Sequence, residues 1–304
     1  MRTPNPRRLT AGAVIAIAVA ILAGIAAGAD ARADAPERIA VARAGDAGGR
    51  TVLFVPGLGT PGAVWDDTVF ALGDIDAHVV TLAGFGGRPP AGPGPVIAPA
   101  VDALAGYVEA QDLTDVVVVG HSLGGQIALQ LAAAEPARIA EVVVVDSAPF
   151  YARLFNPAIT PDQAAAWGQG VAAQMAAMDR EAYLAQIRQG LPVQSLTAAG
   201  QAQVMAWMDA SDQTTVATAF GEVAGSDFTP VLDDVAADVT VLVAWAEGAP
   251  MDAAALADIY RAQYDPLDSV RVDVIDGSRH FVMLDRPVAF AGRLSEIVSP
   301  EEAE

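Results

Sequence analysis

The chain contains no cysteine. Disulfides, thiolate metal sites, a thiol nucleophile and acylation of a lipoprotein cysteine are excluded, while no compartment is favoured on redox grounds. Histidine is scarce too: there are three, His78, His121 and His280, and no pair falls at a ligand spacing such as His-x-x-x-His. No metal site is read from them. Positive charge is in short supply, 17 Lys and Arg against 37 Asp and Glu, giving a net charge of −20. Nucleic acid and anionic membrane surfaces would be repelled by that balance, so neither is expected as a partner. The glycines around 57–59 and 84–87 do not form a Gly-x-Gly-x-x-Gly phosphate loop after a strand, and no nucleotide cofactor is expected. Internal repeats are absent as well.

What the chain does have is apolar content, 53% of 304 residues, enough to fill one catalytic domain carrying an insertion, or two small domains. Its N-terminus reads as an address. Arg2, Arg7 and Arg8 precede an uncharged run from Leu9 to Ala29, and small-x-small sites follow at Ala29-Asp30-Ala31, Ala31-Arg32-Ala33 and Ala33-Asp34-Ala35. A basic start, an apolar centre and a small-residue exit describe a secretory signal peptide over residues 1–35. An uncleaved anchor is the rival, since a run of this length just spans a bilayer. After cleavage no membrane span is expected, and the folded part faces the periplasm or the exterior.

Short apolar runs rich in β-branched residues predict strands at Thr51–Pro56, His78–Ala83, Val116–Val119, Ala140–Asp146, Val239–Trp245 and Ser269–Ile275. Helical stretches at 100–110, 126–135, 252–264 and 286–298 alternate with them, which implies an α/β architecture with a mostly parallel sheet covered by helices on both faces. Between Pro149 and Pro230 no strand is predicted; Ala, Gln and Met dominate there, and the segment reads as an inserted helical cap. The expected division is a leader over 1–35, core over 36–149, cap over 150–230 and core again over 231–304. Met175, Met178, Met205 and Met208 either line an apolar substrate pocket or pack the cap against itself.

The strongest local signal is Val116-Val117-Val118-Val119-Gly120-His121-Ser122-Leu123-Gly124-Gly125. Gly-x-Ser-x-Gly between a buried strand and a helix is a nucleophile elbow: the turn holds the serine in a strained conformation, and side chains at the flanking glycines would collide with neighbouring backbone. With Gly-His-Ser-Leu-Gly-Gly at that place, the chain resembles the α/β-hydrolase superfamily over nearly all of its exported part. Epoxide hydrolases and haloalkane dehalogenases of that fold carry an Asp at the elbow, so Ser122 argues against both.

A serine needs a base. His121 adjoins Ser122 and should point away from it, and His78 starts a strand well before the elbow. His280 follows the last strand, satisfying the order Ser, acid, His in this fold, and it lies in a His280-Phe281 segment similar to that of the superfamily. One oxyanion-hole donor is the amide of Leu123. The resemblance implies a second from the loop after the first strand, where relatives often carry His-Gly-x-Gly; here Pro56-Gly57-Leu58-Gly59 assigns it to Leu58. The acid departs from the pattern. Relatives commonly show Trp-Gly-Glu-x-Asp, but this chain has Trp245-Ala246-Glu247-Gly248-Ala249, with Ala at the usual acid position. Asp146 at the end of the strand beside the elbow strand is favoured, with Glu247 and then Asp252, which also reads as a helix cap, as alternatives; a dyad with no acid is the remaining case. The expected activity is hydrolysis of a carboxylic ester or related acyl bond of a small hydrophobic substrate. Amide or peptide hydrolysis and acyl transfer use the same residues, and an inactive binding protein of the same fold is the rival from another class.

Overall fold

The structure, a computed structural model, describes residues 37–267 and 269–298. The segment read as a leader or anchor lies outside them. Seven strands form one sheet: β1 (Ile39–Gly45), β2 (Arg50–Val55), β3 (Ile75–Leu82), β4 (Val116–His121), β5 (Ile139–Val145), β6 (Asp238–Trp245) and β7 (Val270–Asp276), in the order β1-β3-β2-β4-β5-β6-β7. All neighbours are parallel except β1, which runs antiparallel to β3. Val117, Val118 and Val119 of β4 and Val142 to Val145 of β5 are fully buried. Central strands of a sheet covered on both faces read as unbroken apolar runs for this reason. Burial of each such side chain contributes about 1.5–3 kcal/mol, more than the ~1 kcal/mol span of strand propensity, so packing holds these strands.

The outer elements are α1 (Asp66–Leu72), α2 (Ile97–Ala110), α3 (Leu123–Ala134), α4 (Pro161–Ala177), α5 (Arg180–Gln194), α6 (Ala198–Ala210), α7 (Gln213–Gly225), α8 (Ala253–Gln263), α9 (Val282–Asp285) and α10 (Pro287–Val298). From β2 the chain steps to β3 on one side, then returns to place β4 on the other side of β2. Right-handed crossovers in opposite directions put α1 and α2 on opposite faces. The same reversal parts the loops that follow β2 and β4, and a crevice opens there at the carboxyl ends of the strands.

Four helices, α4 to α7, occupy the interval between β5 and β6, and no strand interrupts them. Each begins with a side-chain cap: Thr160 in a reciprocal capping box with Gln163, then Asp179, Thr197 and Asp212. The insert is fastened to the rest of the chain by polar contacts. Both carboxylate oxygens of Glu222, on α7, accept from the amides of Val96 and Ile97 at 2.8 Å, satisfying donors at the start of α2.

Besides the single turn α9, two elements were not anticipated. The edge strand β1 is half-exposed and carries Arg43, whose guanidinium reaches Asp76 on β3 at 2.7 Å; a weakly alternating, charged edge gives little periodic signal. Helix α1 is short and its Phe70 is exposed. His78 also needs correcting: the strand begins at Ile75, so His78 is mid-strand, buried, and bonded through Nδ1 to the Tyr107 hydroxyl at 2.7 Å. The early Asp76 obscured that strand start; its carboxylate is met by Arg43 on β1 and approached by His78 Nε2 at 3.3 Å.

Helices α4 and α7 approach closely through glycine. A Cβ added at Gly168 would collide with the carbonyl oxygen of Gly221 and stand 2.7 Å from Cα of Gly225. Gly168→Ala should therefore destabilise the protein by about 1–3 kcal/mol, because backbone overlap outweighs the ~1 kcal/mol gained in helix propensity. Urea unfolding of the two proteins checks the sign.

Candidate active site

Ser122 links β4 to α3, and its backbone sits at φ 54°, ψ −120°. That region is costly for a side-chain-bearing residue and persists only where the surroundings impose it. Here they do. A Cβ at Gly120 would strike the carbonyl oxygen of Gly124, and one at Gly124 would strike the carbonyl oxygen of Val55 and come within 2.7 Å of that of Pro56. The ends of β2 and β4 and the first turn of α3 are thus in backbone contact. The Ser122 amide donates to the Val145 carbonyl at 2.9 Å, extending the sheet past the strand end, and the unpaired amides at the start of α3 lie beneath the serine.

The loop after β2 passes directly beside the serine: a Cβ on Gly57 would be 3.3 Å from Cβ of Ser122. Thr60 Oγ1 donates to the Leu58 carbonyl at 3.0 Å and holds the following peptide. Among the described residues neither the Leu58 nor the Leu123 amide has a protein acceptor. Two free donors on neighbouring loops are what an oxyanion requires.

His280 lies after β7, in a segment bonded at successive positions. The Ser278 amide donates to the Trp245 carbonyl at 3.0 Å, the Arg279 amide to Asp285 Oδ2 at 2.8 Å, and the Phe281 amide to the Gln194 carbonyl at 2.8 Å. His121 Nε2 donates to the His280 carbonyl at 2.9 Å, with the two rings 4.6 Å apart. His121 therefore faces away from solvent, beneath the loop, and fixes the backbone of the residue above it.

The His280 ring points across the end of β6 to Asp146, at the end of β5, with Nδ1 2.7 Å from Oδ2. A carboxylate only accepts, so Nδ1 carries the proton and Nε2 presents its lone pair. Asp146 adopts φ 45°, a conformation Asp tolerates, and its Oδ1 accepts from the Ala244 amide at 3.0 Å and the Tyr260 hydroxyl at 3.3 Å. Glu247 is exposed, and only its carbonyl is engaged, by Arg279 Nη2 at 3.4 Å. Asp252 caps α8 through the Ala255 amide at 2.8 Å. Ala249 sits in a turn, its amide donating to Ala246. Of the three acidic candidates, Asp146 is the one brought to His280.

Helix α6 closes over this group. Trp207 packs on Phe281 with ring centroids 6.3 Å apart, and the Met208 sulfur lies where a Gly59 side chain would be. At one end of α6, Asp285 takes the Ser195 hydroxyl at 2.6 Å and the Leu196 amide at 3.0 Å. At the other, the Ser211 hydroxyl donates to the Gly59 carbonyl and accepts from the Gly86 amide, both at 2.9 Å. Met175 and Met208 are buried, with Met178 and Met205 partly so. Two cavities lie elsewhere, about 310 Å³ beside Pro90, Pro93 and Thr215 and about 330 Å³ between α4 and α7. Among the described residues no three His, Asp or Glu are grouped to hold a metal ion, and no helix is long and apolar enough to cross a membrane.

Comparison with known proteins bears on this arrangement. The alpha/beta hydrolase family matches residues 52–293. The chain belongs to that family. Among curated alpha/beta hydrolase relatives it is 39% identical over 108 residues to lipase LipV of Mycobacterium tuberculosis, covering 36% of this chain and 41% of that one. It is 36% identical over 136 residues to the pimeloyl-(acyl-carrier protein) methyl ester esterase of Aeromonas hydrophila, covering 44% and 52%. The matched segments thus span about half or less of those relatives. Solved structures with the same fold include an enol-lactonase from Burkholderia xenovorans, with TM-score 0.68, 18% identity and coverage of 86% of this chain and 96% of that one. A thermophilic esterase from Thermogutta terrifontis aligns with TM-score 0.69, 20% identity and coverage of 86% and 92%.

Tyr260, Gln263, Tyr264 and Asp285 were not singled out from the sequence. The only trace of the first three is their spacing, which puts them on one side of a helix directly after the Trp245 loop.

The buried His121 has a pH consequence. Burial, then the neighbouring His280, holds its imidazole well below the usual histidine pKa, and its Nδ1 has no partner to receive a second proton's hydrogen bond. The folded state keeps His121 neutral while the unfolded chain takes up a proton below about pH 6.5, so stability falls as pH drops through that point. Urea unfolding between pH 6.5 and 5 should show His121→Phe losing a component of up to about 1.4 kcal/mol per pH unit that the wild type has.

Proposed function

We propose that this alpha/beta hydrolase is an exported serine esterase that cleaves a carboxylic ester through an acyl-enzyme on Ser122. The observation that carries the reading is the 2.7 Å pairing of His280 Nδ1 with Asp146, which leaves Nε2 free to act as the base for Ser122, itself held at a positive φ. Ser122 Oγ attacks the acyl carbonyl and its proton passes to His280 Nε2. Asp146 stabilises the imidazolium and keeps the ring in the Nδ1–H tautomer. The Leu58 and Leu123 amides hold the oxyanion. The tetrahedral adduct then expels the alcohol, which takes the proton from Nε2. Water, deprotonated by His280 in turn, releases the acid by the reverse sequence.

An ester is favoured over other acyl compounds by relatives named lipase and methyl ester esterase. A hydrophobic substrate group is favoured by the apolar roof of Trp207, Met208 and Phe281. Amide hydrolysis or acyl transfer would run through the same residues. Loss of chemistry, suggested by Ala249, is opposed by the Asp146 pairing. Export rests on the sequence of residues 1–35, and sequencing the mature N-terminus should place it at one of the sites between Ala29 and Ala35.

Nitrophenyl esters of graded chain length should be turned over, with Ser122→Ala abolishing both turnover and fluorophosphonate labelling. Asp146→Asn should lower kcat by about 10³–10⁴-fold, because a neutral amide favours the wrong imidazole tautomer, whereas Glu247→Gln should stay within about twofold. The reverse ranking of the two acids, or no labelling of the wild type, would defeat the reading.

A further inference from the structure

Helix α8 grips the turn that carries Asp146. Its last turn and C-cap send Tyr260 to Asp146 Oδ1 at 3.3 Å, Gln263 Oε1 to the Phe150 amide at 3.2 Å and Tyr264 to the Ser147 carbonyl at 2.9 Å. Both tyrosines are buried. The rotation of an Asp carboxyl about its last bond is soft, so one donor on each oxygen leaves its plane poorly fixed. Oδ2 has His280, and Oδ1 has the Ala244 amide from the end of β6. Tyr260 supplies a second donor to Oδ1 from a different element.

We propose that Tyr260 is a positioning residue for the reaction: its hydroxyl fixes the Asp146 carboxylate and sets how strongly that carboxylate stabilises the His280 imidazolium. The inference rests on the reading of Ser122, His280 and Asp146 as the reacting group. A tyrosine suits the task because burial first, and the Asp146 charge next, raise its pKa well above the usual value. It therefore remains a donor at any pH at which the protein works. At 3.3 Å the bond is long for a hydroxyl donor, so its effect is one of tuning.

The sign follows from competition for one charge. Without the hydroxyl, Asp146 loses a donor, its charge is less neutralised, and the imidazolium beside it is better stabilised. The groups facing this pair are few. His121 on β4 approaches the His280 ring, Tyr151 after β5 and Tyr264 at the C-cap of α8 lie near Asp146, and Arg279 and Glu247 meet at the rim. A bland alternative is that the Tyr260 hydroxyl merely finds the nearest acceptor. Tyr264 is the control for that case, since it caps the C-terminus of the same helix, is buried too, makes a shorter bond, and touches backbone rather than the carboxylate.

The test is an NMR titration of the His280 ring, alongside the pH profile of kcat/KM for a nitrophenyl ester. Only three histidines need assignment, and His78 and His121 are fully buried. In Tyr260→Phe the His280 midpoint should rise by about half a pH unit, the acid limb of kcat/KM should move with it, and kcat should fall a few-fold. Tyr264→Phe should lower the unfolding temperature and leave the midpoint in place. A Tyr260→Phe titration that overlays the wild type, or an equal shift in Tyr264→Phe, would overturn the proposal. Asp146→Asn tests the underlying reading separately, because it must lower the His280 midpoint. If it does so while Tyr260→Phe has no effect, only the role of Tyr260 is lost; if it does not, the pairing itself has no function.

Discussion

The rest of the site depends on one steric constraint, the backbone contact among the end of β2, the end of β4 and the first turn of α3. No Cβ fits at Gly120 or Gly124. Because the chain is pressed together there, Ser122 is held at a positive φ it would not choose alone, and the loop after β2 is brought alongside it. The candidate nucleophile and both candidate oxyanion donors are therefore set by a single packing event at the point where the sheet reverses its direction of growth.

The other half of the site is assembled from the opposite end of the sheet and from the insert. The His280 segment is bonded to β6 through Trp245, to β4 through His121, to α9 through Asp285 and to the end of α5 through Gln194. Helix α6 is tied to the same two loops that bear on the chemistry, through Asp285 at one end and Gly59 at the other. The roof over the serine and the imidazole is thus built on the loops it covers.

Much of this was legible in the sequence because it depends on local pattern. Valine runs marked β4 and β5, since strands buried on both faces have no polar positions. The Gly-His-Ser-Leu-Gly turn marked the elbow, since its steric demands fall on adjacent residues. His280 followed from chain order and the scarcity of histidine. What escaped notice were elements whose reason to exist lies elsewhere in the chain. Strand β1 and the start of β3 are held by Arg43 and Asp76, 33 positions apart, and neither residue signals a strand alone. Asp285 and the α8 tyrosines act across longer gaps still.

The sequence by itself determined the family of folds and made the serine and the histidine candidates, because each is encoded within a few residues whose conformations constrain one another directly. It left the acid open among Asp146, Glu247 and Asp252. Only the tertiary structure shows which of them His280 meets, since the ends of β5 and β6 are neighbours in space and a histidine arriving from β7 could meet a carboxylate on either. The choice fell to Asp146 because the His280 segment, pinned from four sides, carries its ring over the end of β6, where Ala249 offers no acid, to the next strand. No local rule contains the position of that segment. It is fixed by contacts with β4, β6, α9 and the insert at once, and so exists only when the chain is folded.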